Sequence, residues 1–395
     1  MFSHRYCLTP FYLFEFEQNV RNTLRVYIQN IQPGDKTKRD FSLLSFKILV
    51  MRKIVKQVLG IDVAQKELVV SLGRMHDDWI PELYASKTFQ NTQKGFITLV
   101  SWVKKLTEVG HGVRYVMEAT GVYHESLAYF LEEKGYEVTI VLPNKIRNYF
   151  KTLTVKSITD KTSAEAIALF GLEKSLGSWK RPKKIFRSLR QLARERDQIV
   201  QERTMVKNQL HAEQAEAEPN LSSIQRIKKR IQFLNKQEKE IKTEITALAK
   251  TDEQVDKSVK VTSSVTGIGV LTAVTVLAET NGFELIRNKR QVSSYAGFDV
   301  IQKESGTSVK GKSRISKRGN KYLRKAMHLP ALAAIRHDER FKAIYARLIA
   351  RHGIKMKAAV AVQRKLLEIM YTVYKTNTPY DKNYLKRIET VNAEA

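Results

Sequence analysis

Three acidic residues occupy positions where a carboxylate could do chemistry. Asp62 lies inside the apolar segment Gly-Ile-Asp-Val, Glu118 ends a later apolar segment, and Asp160 opens a helical pattern. A charge inside a buried β-strand is costly unless it is paired or binds a cation. Two strands and a helix that each supply a carboxylate can together hold one or two Mg²⁺ ions, which neutralise charge on a phosphoryl group during its transfer. The set therefore predicts a metal centre for phosphoryl chemistry.

Each of these residues also has an ordinary explanation. Asp160 could do no more than stabilise the dipole of its helix, and Glu118 could form a salt bridge. Asp62 is the hardest to explain without a function, because its place in an apolar strand makes its charge expensive.

A second group of candidate residues lies in the hydroxyl-rich and cationic segment from Ser305 to Asn320. Its cations could gather around a phosphate; they are Lys303, Lys310, Lys312, Arg314, Lys317 and Arg318. A flexible loop that binds the DNA backbone without chemistry is the alternative.

A Gly-x-Gly turn, Gly267 and Gly269, precedes an apolar helical pattern. Such a turn exposes backbone N–H groups at a helix N-terminus, and helix-hairpin-helix modules hold DNA phosphates in this way. A plain helix entry turn explains the glycines equally well. The basic surroundings favour contact with DNA.

The overall charge indicates a polyanionic partner. The 395 residues include 69 Lys and Arg against 40 Asp and Glu, a formal charge of +29. Such a surface binds nucleic acid by releasing counterions. No apolar run is long enough to span a membrane, the first residues do not resemble a secretion signal, and the single cysteine, Cys7, allows no internal disulfide. These features predict a cytoplasmic protein without a membrane partner.

Alternating apolar patterns predict the elements that would position the acids. Apolar β-branched residues, interrupted by Gly60, predict a buried strand and a hairpin into a second strand from Val58 to Leu72, and further strands are expected at 114–118 and 137–142. Helical patterns are expected at 93–109, at 123–133 and from Asp160 to Phe170. This alternation predicts a mixed sheet covered on both faces.

The second half of the chain has a different pattern. Heptad-like apolar spacing on either side of Pro219-Asn220 predicts two long helices, either folded as an antiparallel hairpin or offered to another subunit as a coiled coil. The narrow apolar stripe favours association. The fold class is thus α/β plus all-α, with these predicted segments: an extension at 1–50 that need not belong to the natural start, since Met51 reads as a start; an acidic metal-binding domain at 51–181; a coiled-coil hairpin at 182–255; a mostly helical domain at 256–380; and a tail at 381–395.

Positions 53 to 375 resemble the IS110 family of insertion-sequence transposases, which is related to the Piv and MooV invertases. The resemblance is carried by Gly-Ile-Asp-Val, Glu-Ala-Thr-Gly-Val-Tyr and Thr-Asp-Lys-x-x-Ala-x-x-Ile-Ala in the first half. In the second half it is carried by Gly-Ile-Gly, Tyr-Ala-Gly-Phe, Glu-Ser-Gly and Arg-Ile-Ser-Lys-Arg-Gly-Asn-Lys-Tyr-Leu-Arg. It implies a RuvC-like, RNase H-like domain of the DEDD type with Mg²⁺ (or Mn²⁺) ligands at Asp62, Glu118 and Asp160.

One position departs from the family pattern. The family usually has a fourth acid three residues after the third, and this chain has Ser163 there. A hydroxyl is a poorer ligand than a carboxylate. Glu165 lies about 140° around an ideal helix from Asp160, so it could substitute only if the helix start were bent.

The resemblance also implies a serine transposase domain. By that similarity Ser305 is the nucleophile, with Ser316 the fallback, and a serine that attacks a DNA phosphate would form a covalent link that conserves bond energy for rejoining. The family further implies a homo-oligomer, dimer or tetramer, in which one subunit's acidic centre faces another's serine, and a structured guide RNA that pairs with donor and target DNA.

Two other functions stay open at this point. A RuvC-like nuclease would hydrolyse DNA through water and never use serine. A descendant that binds nucleic acid without catalysis would explain Ser163.

Overall fold

The computed structural model describes residues 53–383, apart from 109, 120, 156, 285, 303, 306–308 and 312. The expected extension at 1–50 and the start at Met51 lie outside the described residues, as does most of the predicted tail. The chain divides into two units, one ending at Arg181 and the other beginning at Pro182. Among the described residues, no helix is both long and apolar enough to cross a bilayer.

The first unit contains a five-stranded sheet with the order β3-β2-β1-β4-β5. Its strands are β1 (Ile54–Val63), β2 (Glu67–His76), β3 (Pro81–Gln90), β4 (Val113–Glu118) and β5 (Glu137–Val141). The first three strands pair antiparallel, while β4 pairs parallel to both β1 and β5. This combination of antiparallel and parallel pairs confirms the predicted mixed sheet.

Helices cover both faces of this sheet; they are α1 (Gln93–Leu106), α2 (Glu125–Glu133), α3 (Pro143–Phe150) and α4 (Asp160–Glu173). On one face Leu59 and Ile61 of β1 share a core with Phe96 of α1 and Leu127 of α2. The other core joins strands β1 and β4 to α3 and α4, through Val58, Val116, Ile146 and Ile167. Alternate residues of β1 therefore face opposite helix layers, as the two-residue period of a strand requires.

Gly60 lies inside the first strand, where it breaks the run of apolar side chains without breaking the strand. Gly60 pairs with Ser71 inside the continuous β1–β2 ladder. A Cβ at this position would lie 2.3 Å from the backbone nitrogen of Ala168 and 2.4 Å from the carbonyl oxygen of Ala164. The glycine is needed because α4 lies directly on the strand.

The second unit begins with α5 (Lys184–Ala215) and α6 (Leu221–Lys250), joined by a short turn. Glu238 on α6 is 4% exposed and accepts bonds from Arg196 and Arg203 on α5 and from Lys242 one turn along α6. Burial by itself would raise the pKa of Glu238, but hydrogen bonds from Lys242, Arg203 and Arg196 hold it at about 2. The charged cluster fixes the register of this antiparallel hairpin. A role for the hairpin in association with another subunit stays a prediction.

The remainder of this unit is rich in helices, as predicted. Its helices are α7 (Glu253–Ser263), α8 (Val270–Glu279), α9 (Lys289–Ala296), α10 (Lys321–Ala326), α11 (His328–His337), α12 (Glu339–His352) and α13 (Lys355–Thr376). Between α9 and α10 lie two short ribbons, β6 (Val300–Ile301) with β9 (Arg314–Ile315) and β7 (Glu304–Ser305) with β8 (Val309–Lys310). One apolar core joins the base of the α5–α6 hairpin to the helices that follow it.

Candidate functional site

The ends of β1 and β4 bring Asp62 and Glu118 to the same edge of the sheet. The parallel register pairs Gly60 with Val116 and Ile61 with Met117. One further step along both strands places Asp62 opposite Glu118, and adjacent strands are about 4.8 Å apart. Both side chains share the face of Gly60, because residues two apart on a strand point the same way. That face is the one covered by α4.

Helix α4 brings the third carboxylate to the same edge. It runs antiparallel to β1, since its residues Ala164 and Ala168 meet Gly60 while Gly171, further along, meets Val58. Two residues of strand from Gly60 to Asp62 advance about 6.6 Å. One helical turn back from Ala164 to Asp160 covers about 6 Å in the same direction. The small residues of α4 thus set the distance between Asp160 and the sheet.

Local capping explains why α4 begins at Asp160. Thr159 is the N-cap: its hydroxyl accepts from the backbone nitrogen of Thr162 at 3.2 Å, and the Thr162 hydroxyl accepts from the Thr159 nitrogen at 2.8 Å. This reciprocal pair is a capping box. It leaves Asp160 exposed on the first turn of the helix.

The three carboxylates interact electrostatically. Burial, followed by the negative charges of Asp160 and Glu118, raises the pKa of Asp62 to about 6, while a backbone hydrogen bond from Val63 opposes the shift. Desolvation and like charge each disfavour the ionised form of an acid. A cation between these groups would reverse both effects, so the donor set suits a divalent metal.

The three acids do not form a complete metal-coordination site. In the part of the chain that the structure describes, no group of three or more His, Cys, Asp or Glu side chains is placed to hold a metal ion. Ser163, the position where the family has an acid, is half-buried beside Asp160 on α4. Glu165 lies 3.9 Å from Lys161 on another side of the helix, so nothing in its placement makes it a replacement ligand.

The serine-bearing segment lies in the second unit. Ser305 ends β7, and Ser305 pairs with Val309 in a ribbon that also includes Lys310. The predicted phosphate-binding Lys303 and Lys312 lie outside the described residues.

Ser316 stabilises a turn. Its hydroxyl donates to the carbonyl oxygen of Gly297 at 3.2 Å and accepts from the backbone nitrogen of Arg318 at 3.2 Å. Both hydrogen-bonding functions of that hydroxyl are thereby used within the protein. Lys317 next to it has φ 54°, the left-handed region, and its nitrogen donates to Gly297 at 3.1 Å. Arg314, Lys317 and Arg318 are exposed.

The Gly-x-Gly turn opens α8, with Gly269 as the N-cap residue. Gly267 has φ 87°, and a Cβ there would lie 2.5 Å from the carbonyl oxygen of Pro330. Packing against α11 therefore accounts for Gly267. A Cβ at Gly269 would meet nothing within 4 Å, so this position is open to a ligand. The helix-hairpin-helix assignment and the DNA contact stay predictions.

Sequence reasoning missed a buried acid that holds this region together. Glu279 at the end of α8 is 3% exposed and accepts two bonds from Arg194 of α5, at 2.7 and 2.8 Å. The side-chain amide of Asn320, which caps α10, donates to the same carboxylate at 2.6 Å. The acid thus ties α5 to the end of the serine-bearing segment. The sequence does contain a signal for this residue, because Glu279 is an acid at the end of an otherwise apolar helical segment.

Comparisons with known protein families identify the class of this chain. A DEDD transposase domain of the IS110 type matches residues 59–214. A second description, "Transposase IS116/IS110/IS902 family", matches residues 259–346. Together these matches cover more than half of the chain. The protein belongs to the IS110 family and is a DNA transposase.

Individual relatives are more distant. The chain is 27% identical over 333 residues to the "Pilin gene-inverting protein" of Moraxella lacunata, covering 83% of this chain and 98% of that protein. It is 24% identical over 357 residues to the "Transposase for insertion sequence element IS1111A" of Coxiella burnetii, covering 82% and 91%. Among solved structures, T. thermophilus RuvC bound to a Holliday junction aligns over 31% of this chain and 99% of its own, with 10% identity and a TM-score of 0.24.

Proposed function

We propose that this transposase cuts and rejoins DNA at a centre where Asp62, Glu118 and Asp160 bind a divalent metal, with Ser305 as the nucleophile. The observation that carries the proposal is geometric: the parallel register of β1 and β4 brings Asp62 next to Glu118, and α4, which begins at Asp160, lies on the same face of the sheet at Gly60. Mg²⁺ is the ion we expect, with Mn²⁺ as a substitute, because hard carboxylate oxygens suit both.

The metal, when bound, would neutralise negative charge that develops on the phosphate during strand transfer. The protein holds the ligands on rigid elements. Asp62 and Glu118 stand on paired strands, and Asp160 stands on a helix whose backbone touches β1 at Gly60. Ser163 leaves one corner of the site to a neutral oxygen, so we expect weaker metal binding there than with a fourth carboxylate.

In the proposed reaction the Ser305 oxygen attacks a DNA phosphorus. The bond from that phosphorus to a deoxyribose oxygen breaks, the sugar leaves with a hydroxyl group, and the serine proton is given up to a base. A hydroxyl of a second strand then attacks the phosphoserine link, which restores a phosphodiester and releases the serine. The cations Arg314, Lys317 and Arg318 would balance charge on the phosphate in both steps.

Ser316 supports this assignment by its own bonding. Its hydroxyl already joins Gly297 to Arg318 within a turn. Attack by Ser316 would have to break the hydrogen bond in which it donates its proton to Gly297, so we propose Ser305 as the nucleophile.

The remaining parts of the proposal concern partners. We expect a homo-oligomer, dimer or tetramer, in which the acidic centre of one subunit meets the serine of another, and a structured guide RNA that selects donor and target DNA. The formal charge of +29 suits a complex rich in phosphate.

The test is covalent trapping on labelled element-end DNA in the presence of Mg²⁺. We expect a protein–DNA adduct that survives denaturation with the unaltered protein and with Ser316→Ala folded to the same extent, and no adduct with Ser305→Ala. Cleavage without any adduct would establish hydrolysis by water and overturn the serine step. An adduct that persists in Ser305→Ala and disappears in Ser316→Ala would move the nucleophile. Cleavage that survives Asp62→Asn would overturn the metal centre.

A further inference from the structure

A groove of about 610 Å³ opens beside the serine-bearing segment, between the β6–β9 ribbon and helices α12 and α13. Ligand pockets in proteins span about 300–1,000 Å³, so a nucleotide-sized group fits this range. The groove lies within the second unit, and the chain runs directly from its wall at Val300 into the ribbon that carries Ser305.

The apolar residues that line the groove are here called its floor. They include Phe298, which is buried, and Ile315 and Val360, which are half-buried. Ile354 and Met356 also line it, and they are 46% and 59% exposed. An apolar surface that stays exposed beside a polar rim marks a binding site.

The rim is cationic. Arg314, Lys317, His352, Lys357 and Arg364 line the groove, and no Asp or Glu is among the described residues that do so. Lys317 holds a left-handed φ of 54°, a conformation that is strained for a non-glycine residue and concentrates at functional sites. An apolar floor within a ring of cations complements a flat aromatic group that carries anions on either side.

We propose that this groove seats one unstacked nucleobase of the DNA strand, with Lys317 and Lys357 bound to the phosphates that flank it. The inference rests on the proposed function and deepens it, because Val300 of the groove is five residues before Ser305, so a base held in the groove would restrict which phosphate reaches the nucleophile. Enzymes that act on nucleic acid bind such extruded bases against apolar side chains, and apolar contact tolerates any base.

The experiment measures binding of short fluorescent single strands to the full-length protein in EDTA, where no cleavage occurs. Each strand is compared with a copy that keeps its phosphates but has abasic sites. We expect the abasic strand to bind the unaltered protein at least about fivefold more weakly, because it loses the apolar contact that a buried base makes. Met356→Ala should weaken binding of the intact strand only, so that the two strands become nearly equal.

Two variants separate the roles of the floor and the rim. Lys357→Gln should weaken the binding of intact and abasic strands by the same factor, because it removes one phosphate contact. For the same reason, the slope of log affinity against log salt concentration should become shallower by about one. Leu221→Ala is the matched control for the floor, since Leu221 is 73% exposed at the start of α6 and lies outside the groove. It should leave both strands unchanged.

The proposal is overturned if intact and abasic strands bind the unaltered protein equally, or if Met356→Ala leaves their ratio unchanged. It is also overturned if only an RNA strand responds to Met356→Ala, or if that variant changes the sedimenting mass of the protein and not its DNA affinity. These outcomes are independent of catalysis. The proposed function is tested separately by Asp62→Asn, which should lose cleavage while it keeps the difference in affinity between intact and abasic strands.

Discussion

Replacing Asp62 by asparagine should make the first unit more stable while it removes one ligand of the proposed metal centre. The carboxylate is half-buried and faces the charges of Asp160 and Glu118, and its pKa is raised to about 6. The ordinary value is about 3.9, so the shift is about two units, or about 3 kcal/mol at pH values above both. Solvent screening of a half-buried group reduces this to about 1–2 kcal/mol. The asparagine amide would keep the shape of the side chain without the charge.

The pH dependence follows from the sign of the shift. Between pH about 4 and 6 the folded protein holds a proton on Asp62 that the unfolded chain has released, so the free energy of unfolding falls as the pH rises. Asp62→Asn has no carboxyl group to deprotonate at this position, so its free energy of unfolding does not fall for this reason. We expect the two proteins to match below pH about 4, to diverge through pH 6, and to differ by about 1–2 kcal/mol at neutral pH.

Urea unfolding in EDTA followed by tryptophan fluorescence is suited to this measurement. The three tryptophans of the chain, Trp79, Trp102 and Trp179, all precede Pro182, so their emission reports on the first unit alone. Added Mg²⁺ should raise the stability of the unaltered protein and leave Asp62→Asn unchanged. Equal stability of the two proteins at every pH would refute the placement of Asp62 among like charges.

Other substitutions test how the elements are held. Gly60→Ala should destabilise the first unit by about 3 kcal/mol or more, because the methyl group meets the backbone of α4; Gly112→Ala, where nothing lies within 4 Å, should change little in the same urea titration. Glu238→Gln should lower the free energy of unfolding of the helical hairpin by about 3 kcal/mol, because two arginines lose their buried partner. Glu240→Gln, at an exposed ion pair, is the control and should lower it by less than about 1 kcal/mol. Both are measured by thermal unfolding followed by circular dichroism. Gly267→Ala should destabilise the second unit by about 2 kcal/mol in calorimetry, because of its positive φ and its close approach to α11.

Much of the first unit could be predicted because its elements have strong local patterns. The hairpin at 54–76, the strands at 113–118 and 137–141, and the helix from Asp160 all occur where the apolar spacing indicates them. The edge strand β3 was missed because Phe89 is its one buried residue, which leaves no alternation to detect. Helix α3 was not predicted. It begins at Pro143, directly after β5, because proline suits the first turn of a helix as well as the end of a strand.

The features that could not be predicted depend on contacts between distant residues. Gly60 has a clear local effect on strand propensity. The reason that a glycine is needed there is the close contact with Ala164 and Ala168, which lie more than one hundred positions later. The bonds from Arg194 and Asn320 to Glu279 likewise join three separate segments. Residue spacing along one element carries no information about such pairs. That Asp62, Glu118 and Asp160 hold one ion stays a prediction.

Calorimetric titration of Mn²⁺ into the full-length protein and into Asp62→Asn, Glu118→Gln and Asp160→Asn tests the central claim most directly. If the three carboxylates share one ion, each variant should lose more than about tenfold in affinity, since each removes a ligand, and any double variant should lose little more than the more affected single one. Mn²⁺ binding that is unchanged in all three single variants would contradict a common metal centre at the α4 face of the sheet.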